Sequence, residues 1–231
     1  MIRALTLLFL ISIQSLFAQY YSQIEQDKFL NENFFHNMRG GTFVEFGAYD
    51  GVNISNSYFF EKELGWNGIC AEPMPEHFEK LKRNRRCFCV QGCVTPKPGT
   101  ADFLRITGGN WWNQMLSGIV SSYDPRHIER VRQEVAAYGA SVDIIRVPCY
   151  RLSDLLDQYH MPHINYLSID TEGGELEILQ SIDFKKYQID FITVEDNYKD
   201  VRLEQFLESQ GFELVKRLSH DLVFKHKNWK K

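Results

Sequence analysis

Short apolar runs alternate along this chain with segments in which apolar residues recur every three or four positions. Runs of the first kind, bounded by turn residues, are typical of buried strands, and the second pattern is typical of helices with one buried face. The runs predict seven strands, at 42–46, 68–72, 87–91, 165–169, 190–194, 212–216 and 221–225. The periodic segments predict helices at 26–38, 55–64, 76–84, 152–159, 173–181 and 200–210.

The order of these elements predicts the fold class. Strands that alternate with helices form a parallel sheet with helices on both faces, so we expect an α/β fold. Its sheet should be doubly wound, mostly parallel, seven-stranded and Rossmann-like. The last two strands, at 212–216 and 221–225, are joined too closely for a crossover helix. They must therefore form an antiparallel hairpin at one edge of the sheet.

The segment 97–146 interrupts the alternation of strands and helices and is predicted to be an insert. It is polar and glycine-rich near its start, at 108–112, and then carries a helix at Pro125–Tyr138. We interpret it as a flap over the active site. Trp111 and Trp112 either belong to that flap or pack in a core beneath the loop.

A glycine loop follows the first strand, Thr42–Phe46, and runs from Gly47 to Gly51. Glycines there allow a tight turn and a close approach of the backbone to a ligand. The spacing is not the G-x-G-x-x-G of dinucleotide-binding folds, and Asp50 inside the loop would repel a pyrophosphate. Asp50 and Glu45 would instead accept hydrogen bonds from an ammonium group or lie near a sulfonium. Glu45, Gly47, Asp50 and Gly51 are therefore candidates for binding S-adenosylmethionine, unless the loop is only a tight connection.

Glu72 is the candidate for binding a ribose. It ends the second predicted strand and follows the glycine loop by about twenty residues, the interval at which Rossmann-like units place an acid on the ribose hydroxyls. A carboxylate can accept hydrogen bonds from both hydroxyls of a ribose diol. The alternative is a solvated loop acid.

Acidic residues also end the next two predicted strands. Asp170 and Glu172 follow the strand at 165–169, and Glu195 follows the strand at 190–194. Ligands of open α/β sheets bind beyond the carboxyl ends of the strands. Methyl transfer to a hydroxyl, which the family resemblance described below implies, needs a base for the proton. We assign Asp170 as the first candidate base and Glu195 as the second. Glu172 is either a site residue or a helix N-terminal acid.

A divalent cation is the alternative to a base. Bound by Asp170, Glu195 or Asn197, it would lower the pKa of the acceptor hydroxyl. These oxygen ligands would suit magnesium, but nothing in their spacing requires a metal.

The chain resembles the FkbM-type methyltransferases, a branch of the class I S-adenosylmethionine enzymes. The resemblance covers about half of the predicted mature chain and rests on three segments: VEFGAYDGVNISNSYFFEKELGWNGICAEPMPEHFEKLKRN (44–84), LSIDTEGGELEILQSIDF (167–184) and ITVEDN (192–197). It implies a seven-stranded doubly wound domain that methylates a hydroxyl of a sugar or small natural product. Segment 97–146 matches less well, and acceptor specificity is expected there.

Composition and charge narrow the function classes. The chain has 231 residues and is 44% hydrophobic, which suits one α/β domain with a full core. The net charge is −4, and the basic segment 80–86 is interpreted as the solvated end of a helix. The charge therefore gives no reason to expect a nucleic-acid partner, and the family resemblance implies a small-molecule or glycan acceptor.

The five cysteines and the scattered histidines are interpreted as structural or surface residues. An odd number of cysteines leaves at least one thiol free or paired between chains. Buried thiols are expected, with a Cys87–Cys149 bridge as an open alternative. Each isolated histidine is interpreted as a surface or capping residue: His127, His160, His163 and His220.

The amino terminus resembles an export signal. Arg3 precedes an apolar stretch at 4–13 that is too short to span a bilayer as a helix. Ala18 suits the last position before a cleavage site, so residues 1–18 are predicted as a signal peptide and 19–231 as a methyltransferase domain. The product would be secreted, with no membrane span after cleavage; an uncleaved anchor at 4–13 is the alternative.

Two function classes remain open from the sequence. The first is an S-adenosylmethionine-dependent methyltransferase, and the acids at three strand ends favour it. The second is a non-catalytic secreted interaction protein that retains the fold. A nicotinamide-dependent oxidoreductase is disfavoured by the loop spacing and by Asp50.

Overall fold

The computed structural model describes residues 19–230, so the predicted signal peptide at 1–18 lies outside the described part. The strands are β1 (Thr42–Phe46), β2 (Asn67–Glu72), β3 (Phe88–Gln91), β4 (Cys93–Val94), β5 (Gly99–Thr107), β6 (Gly118–Ile119), β7 (Ser141–Tyr150), β8 (His163–Ile169), β9 (Gln188–Glu195), β10 (Phe212–Leu218) and β11 (Asp221–His226). The α-helices are α1 (Gln26–Leu30), α2 (Tyr58–Leu64), α3 (Pro75–Asn84), α4 (Pro125–Tyr138), α5 (Leu152–Gln158), α6 (Glu175–Gln180) and α7 (Val201–Ser209).

The main sheet confirms the predicted fold class. Seven strands lie in the order β10-β11-β9-β8-β1-β2-β3. Neighbours from β9 to β3 run parallel, whereas β11 is antiparallel to both β9 and β10. This is the doubly wound, mostly parallel sheet with an antiparallel edge hairpin that a class I methyltransferase fold requires.

Apolar side chains from alternate positions of the central strands bury both faces of this sheet. Val44 and Phe46 of β1 point into one cluster, which contains residues of α5, α6 and α7. Phe43 points into the other, which contains residues of α1, α2 and α3. A strand covered on both faces is apolar at nearly every position, which explains why the pattern located β1, β8 and β9 so closely.

A second sheet of four strands, in the order β4-β7-β5-β6, was not predicted. Strands β5 and β6 and the first part of β7 lie in the segment expected to be a flap. Its main part is the antiparallel pair β5–β7, which stays in register from Gly99 opposite Cys149 to Thr107 opposite Ser141. The insert is therefore a folded layer rather than a loop that carries one helix. It has one small core of its own, Ile106, Leu116 and Val131, and its Phe103 packs in a second cluster that includes Met74 of the main domain.

Helix α4 of the insert has the predicted bounds, and its end residues explain them. The Asp124 side chain accepts a hydrogen bond from the backbone N–H of Arg126 at 2.8 Å, and Pro125 occupies the first helical position. Gly139 ends the helix in the left-handed conformation, with a φ of 65°.

The first predicted helix, 26–38, is shorter than expected. Helix α1 ends at Leu30 and continues as one wide π turn over Asn31–Phe35. His36 and Asn37 then take positive φ angles of 44° and 64°, which a right-handed helix does not allow. Within residues 19–230, no helix is long and apolar enough to cross a membrane.

All five cysteines are free thiols. Cys149 of β7 lies opposite Cys93 of β4, so the bridge considered between Cys87 and Cys149 is not formed. Four of the five side chains are buried and Cys89 is half-buried, in agreement with the interpretation as packed thiols.

Candidate active site

A cavity of about 480 Å³ lies at the carboxyl ends of β1, β2, β8 and β9. The sheet supplies its floor, and residues 112–122 of the insert, together with Phe103, line it from the other side. Chains that follow parallel strands diverge at this edge, so an open α/β sheet forms its ligand crevice there. Five of the predicted site residues line this cavity: Gly47, Glu72, Asp170, Glu172 and Glu195.

Gly47 lies where three strand ends meet. Its φ is 75°, and its N–H donates to the carbonyl oxygen of Ala71 at 3.2 Å. A Cβ atom at this position would lie 2.0 Å from the carbonyl oxygen of Asp170. Only glycine therefore lets the backbone turn here while β1, β2 and β8 remain in contact.

Glu45 does not line the cavity, in contrast to the prediction. Its buried carboxylate accepts hydrogen bonds from the Ser57 hydroxyl at 2.5 Å and from the Asn56 N–H at 2.6 Å. Arg85, also buried, lies 3.4 Å from the same carboxylate. Glu45 thus binds the polar groups of the segment that precedes α2, and it supports the glycine loop from behind.

Asp50 and Gly51 also face the fold rather than the cavity. The Asp50 carboxylate accepts the backbone N–H groups of Val52 and Asn53 at 3.0 and 2.9 Å, as short acidic side chains often do in tight turns. Gly51 has a φ of 81°, and a Cβ there would meet the Arg85 side chain at 2.8 Å. Glu45, Asp50 and Gly51 were predicted to contact the cofactor, but in the structure they support the glycine loop.

Glu72 lies in the cavity wall as predicted for a ligand carboxylate. Its two oxygens accept the backbone N–H groups of Tyr49 and Met74 at 2.9 and 2.8 Å, which fixes the orientation of the carboxylate. Burial raises the pKa of Glu72 to about 8. The two hydrogen bonds favour the ionised form and lower the pKa, but burial has the larger effect. A carboxylate has about four acceptor positions, so it retains capacity for two hydroxyls.

The wall around Glu72 combines aromatic and polar side chains. The ring of Tyr49 meets the ring of His77 edge-on, with centroids 4.3 Å apart. His77 in turn lies within 2.9 Å of the Gln114 amide oxygen, and Phe103 completes this part of the wall. Gln114 and Phe103 belong to the insert, which therefore builds part of the cavity around Glu72.

Asp170, Glu172 and Glu195 converge, as the strand-end argument predicted. One carboxylate oxygen from each residue lies within 4.8 Å of the others. Glu175 is the acid that binds the free backbone groups before α6, since its Oε1 accepts the Gly173 N–H at 2.7 Å. Glu172, with a φ of 57°, is left facing the cavity rather than capping that helix.

Burial, followed by the charges of neighbouring acids, raises the pKa values of all three carboxyl groups. Burial, followed by Asp221, Glu175 and Glu45, raises the pKa of Asp170 to about 8. Burial and the neighbouring Asp170 also raise the pKa values of Glu172 and Glu195 well above their usual range. The group can therefore take up a proton near neutral pH or bind a cation through oxygen atoms.

His127 contacts Glu172 of the site, whereas the sequence predicted a surface or capping residue. It is fully buried, and its Nε2 lies 3.1 Å from the carbonyl oxygen of Leu116, so Nε2 donates that hydrogen bond. Its Nδ1 lies 3.4 Å from Glu172 Oε2 and 3.1 Å from the Tyr198 hydroxyl. The signal was present in the helical spacing, because His127 and Val131 lie four residues apart on the buried stripe of α4.

His220 also lines the cavity. Its Nε2 lies 4.0 Å from Glu195 Oε1 and 3.9 Å from Asp221 Oδ1. The turn between β10 and β11 carries it, so the antiparallel edge hairpin contributes a side chain to the acidic end of the cavity.

Comparisons with known proteins show which family the chain matches. A family model described as "Methyltransferase FkbM domain" matches residues 45–214. Methyltransferase 1 of Beauveria bassiana (strain ARSEF 2860) is 26% identical over 153 residues, which cover 62% of this chain and 61% of that protein. The match thus spans about three fifths of that relative's length. The solved structure titled "delta-N METTL16 MTase domain" is 12% identical, with a TM-score of 0.40, and the match covers 88% of this chain and 80% of that chain.

Proposed function

This chain belongs to the FkbM methyltransferase family, and from that membership we propose that it transfers a methyl group from S-adenosylmethionine to a hydroxyl of a sugar or another small natural product. The observation that carries the proposal is the distribution of acids along one cavity. Glu72 ends β2, whereas Asp170 and Glu195 end β8 and β9. Three strand spacings separate β2 from β9, roughly 14 Å of sheet edge.

The cavity suits S-adenosylmethionine in size and in chemistry. Its volume of about 480 Å³ lies within the usual range for small-ligand sites, roughly 300–1,000 Å³. Glu72 offers acceptors for a ribose diol, and Tyr49, Met74 and Phe103 offer apolar surface for a flat base. When bound there, S-adenosylmethionine would supply a methyl group on a positively charged sulfur, and the S–CH₃ bond would break as the acceptor oxygen takes that carbon.

Asp170 is the group best placed to take the proton of the acceptor hydroxyl. It lines the cavity between Gly47 and Glu172, and its pKa of about 8 lies close to neutral pH. A base with such a pKa combines a useful ionised fraction with sufficient basicity. The O–H bond breaks towards the Asp170 carboxylate while the new O–CH₃ bond forms, and the products are a methyl ether and the demethylated cofactor.

The neighbouring residues position this chemistry. Glu172 is oriented by His127 at 3.4 Å and by the Asn197 amide at 3.5 Å. Glu195 is buried beside Asp170 and is the second candidate for the base. These groups fix where an acceptor hydroxyl can lie, since each carboxylate can accept a hydrogen bond from a neighbouring hydroxyl of the same molecule.

A divalent cation is the alternative way to activate the hydroxyl. Asp170, Glu172 and Glu195 would hold it, and carboxylate oxygens are the ligands that Mg²⁺ prefers. A cation would neutralise part of the charge on the three acids and would lower the pKa of a bound hydroxyl. Chelator-treated protein, assayed with and without added magnesium, distinguishes this route from proton transfer to Asp170.

Export remains part of the proposal. The predicted signal at 1–18 would deliver the domain out of the cytosol, where S-adenosylmethionine is made. An exported enzyme therefore needs a compartment to which the cofactor is supplied. The acceptor would be a small molecule or a glycan that is present in that compartment.

The test is calorimetry of residues 19–231 with S-adenosylmethionine and with its demethylated product. Both should bind, and Glu72→Ala should weaken binding by about 1–3 kcal/mol, the scale for loss of a charged hydrogen-bond acceptor. The thermal stability of the ligand-free variant should change little. A folded wild-type protein that binds neither ligand would overturn the proposal, and a non-catalytic interaction protein would then be the better explanation of the fold.

A further inference from the structure

Residues 20–25, called here the N-terminal arm, run beside the glycine loop and reach the cavity. Ser22 forms a parallel bridge with Ile54, and Gln23 lines the cavity together with Ile54 and Gly47. We propose that this arm is part of the cofactor site, and that Gln23 binds the amino-acid end of the cofactor. The inference rests on the proposed function, because it assigns a role within the same cavity.

Asp27 anchors the arm from the first turn of α1. Its side chain is fully buried, and its carboxylate accepts the backbone N–H groups of Tyr21 and Ser22 at 2.7 and 3.3 Å. The Ser22 hydroxyl donates to the same carboxylate at 2.5 Å. The arm has no regular secondary structure of its own, so these hydrogen bonds determine its path.

Gln26 joins the arm to the strand end that carries a candidate catalytic acid. Its Oε1 accepts the Ile24 N–H at 3.1 Å, and its Nε2 donates to Asp221 Oδ2 at 2.6 Å. Asp221 begins β11 and lies directly opposite Glu195 of β9. The arm is thus fixed relative to the acidic end of the cavity.

Aromatic contacts hold the arm against α2. The Tyr20 and Phe59 rings have centroids 4.6 Å apart, and the Lys62 ammonium donates to the Tyr21 hydroxyl at 2.7 Å. The residues on either side of Gln23 are therefore anchored, while Gln23 itself is exposed. A polar side chain that lies free on a fixed backbone at a cavity wall is available to a ligand.

The backbone of Ile54 supports the same conclusion. Ile54 is β-branched and has a φ of 55°, a conformation that such residues rarely adopt. The bridge to Ser22 holds it there, and Ile54 lines the cavity next to the arm. Arm and loop therefore form one wall, on the side of the cavity where the glycine loop ends.

The chemistry of Gln23 identifies the part of the cofactor that it fits. A side-chain amide has one oxygen acceptor and two N–H donors. It can accept from an ammonium group and donate to a carboxylate, and the amino-acid end of S-adenosylmethionine carries both. The amide N–H groups of Gln23 donate at any pH, whereas Glu72, Asp170 and Glu195 repel that carboxylate when they are ionised.

The first test compares two ligands on the same variants. S-adenosylhomocysteine carries the amino-acid group, and adenosine lacks it. Gln23→Ala should weaken S-adenosylhomocysteine about ten- to hundredfold in calorimetry, the range for loss of a hydrogen bond to a charged group. Its affinity for adenosine should equal that of the wild type. Lys28→Ala is the matched control, because the Lys28 ammonium is exposed and pairs with exposed Glu25 at 2.8 Å.

The outcomes separate this inference from the proposed function. A wild-type protein that binds no S-adenosylhomocysteine contradicts the proposed function and the inference with it. Wild-type binding that Gln23→Ala leaves unchanged overturns the inference alone, and so does an equal loss for both ligands.

Hydrogen exchange of the wild-type protein gives a second test that needs no substitution. Bound S-adenosylhomocysteine should slow exchange in a peptide that covers residues 20–25 at least as much as in one that covers the glycine loop, whereas adenosine should protect the loop alone. Equal exchange of the arm with and without S-adenosylhomocysteine, alongside a protected loop, would overturn the assignment.

Discussion

At the scale of single residues, Asp170 has the properties of a general base. It lines the cavity, and burial with three neighbouring acids raises its pKa to about 8. Asp170→Asn keeps the shape of the side chain but removes the basic oxygen. We expect turnover to fall by about 10²–10⁴-fold, the usual contribution of a positioned base, while S-adenosylhomocysteine binds as before. Asp154→Asn, at an exposed ion pair of α5, is the control. Full activity of Asp170→Asn would transfer the role to Glu195.

The raised pKa of Asp170 also predicts a pH profile. An acid with a raised pKa stays protonated, and is inactive as a base, up to the raised value. In chelator-treated protein, kcat/KM should therefore keep rising with pH beyond the ordinary carboxyl pKa of 3.8. It should level off only above the raised pKa of about 8. Kinetics between pH 5 and 9.5 measure this limb. A rise that ends near the ordinary carboxyl pKa would exclude Asp170, and a shift of the limb to lower pH on addition of magnesium would indicate a bound cation.

Gly47 allows a test of strand packing that is separate from ligand binding. Gly47 and Gly40 both have positive φ angles, 75° and 68°, but a Cβ at Gly40 meets nothing within 4 Å. Alanine at either position carries the cost of a left-handed conformation, about 1–2 kcal/mol. Gly47→Ala should cost a further ~1–3 kcal/mol, because its Cβ would clash with the Asp170 carbonyl oxygen. Urea unfolding without ligand measures both variants, and equal losses would contradict the role assigned to Gly47.

The acids of the site show which residue positions a sequence can predict. Glu72, Asp170 and Glu195 were located because the carboxyl ends of parallel strands meet at one edge whatever the details of the loops. Glu45 and Asp50 were misplaced, because the local pattern does not say whether a carboxylate faces a ligand or the free N–H groups of its own turn. That choice depends on the path of the chain after the turn.

At the scale of elements, Arg85 joins three parts of the domain. The basic segment 80–86 was interpreted as solvated, but the Arg85 side chain is buried. It lies 2.8 Å from Glu61 of α2 and 3.4 Å from Glu45 of β1. Arg85→Met should destabilise the domain by about 3–5 kcal/mol, because it leaves buried carboxylates without a partner. Arg83→Met, at an exposed position of α3, should change stability by no more than about 0.5 kcal/mol. Similar unfolding midpoints for both variants would contradict the structural role of Arg85.

The strands of the two sheets were not equally predictable. The seven main strands lie within two residues of their predicted bounds, because strands buried on two faces leave long apolar runs. Strands β5 and β7 mix charged and apolar residues, such as Arg105 opposite Asp143, since one side of the pair faces solvent. Such a pattern resembles a polar loop. The docking of the insert, which carries His127 to Glu172, depends on long-range packing that no local pattern encodes.

At the scale of the whole molecule, the buried acids favour an enzyme over a non-catalytic interaction protein. Burial raises the pKa values of Asp170, Glu172 and Glu195, and this shift is the measure of how unfavourable their ionised forms are in the fold. A protein that only presented a surface to a partner would be more stable with amides or apolar residues at these positions. The FkbM membership of the chain gives the acids a chemical purpose that the fold alone does not supply.

Export is a proposal about the whole molecule, and the N-terminal arm constrains where a signal peptide could be cleaved. We predict that secreted material begins at or near Gln19, because Ala18 suits the residue before a cleavage site. A cut there leaves Tyr20 and the rest of the arm intact, with Asp27 still able to bind Tyr21 and Ser22. Mass spectrometry of the secreted chain measures the first residue, and Ala18→Arg should block cleavage there. An intact Met1 on secreted wild-type protein would contradict the prediction. A cut inside residues 20–25 would remove part of the cavity wall. It would contradict the role in cofactor binding that is proposed for the arm.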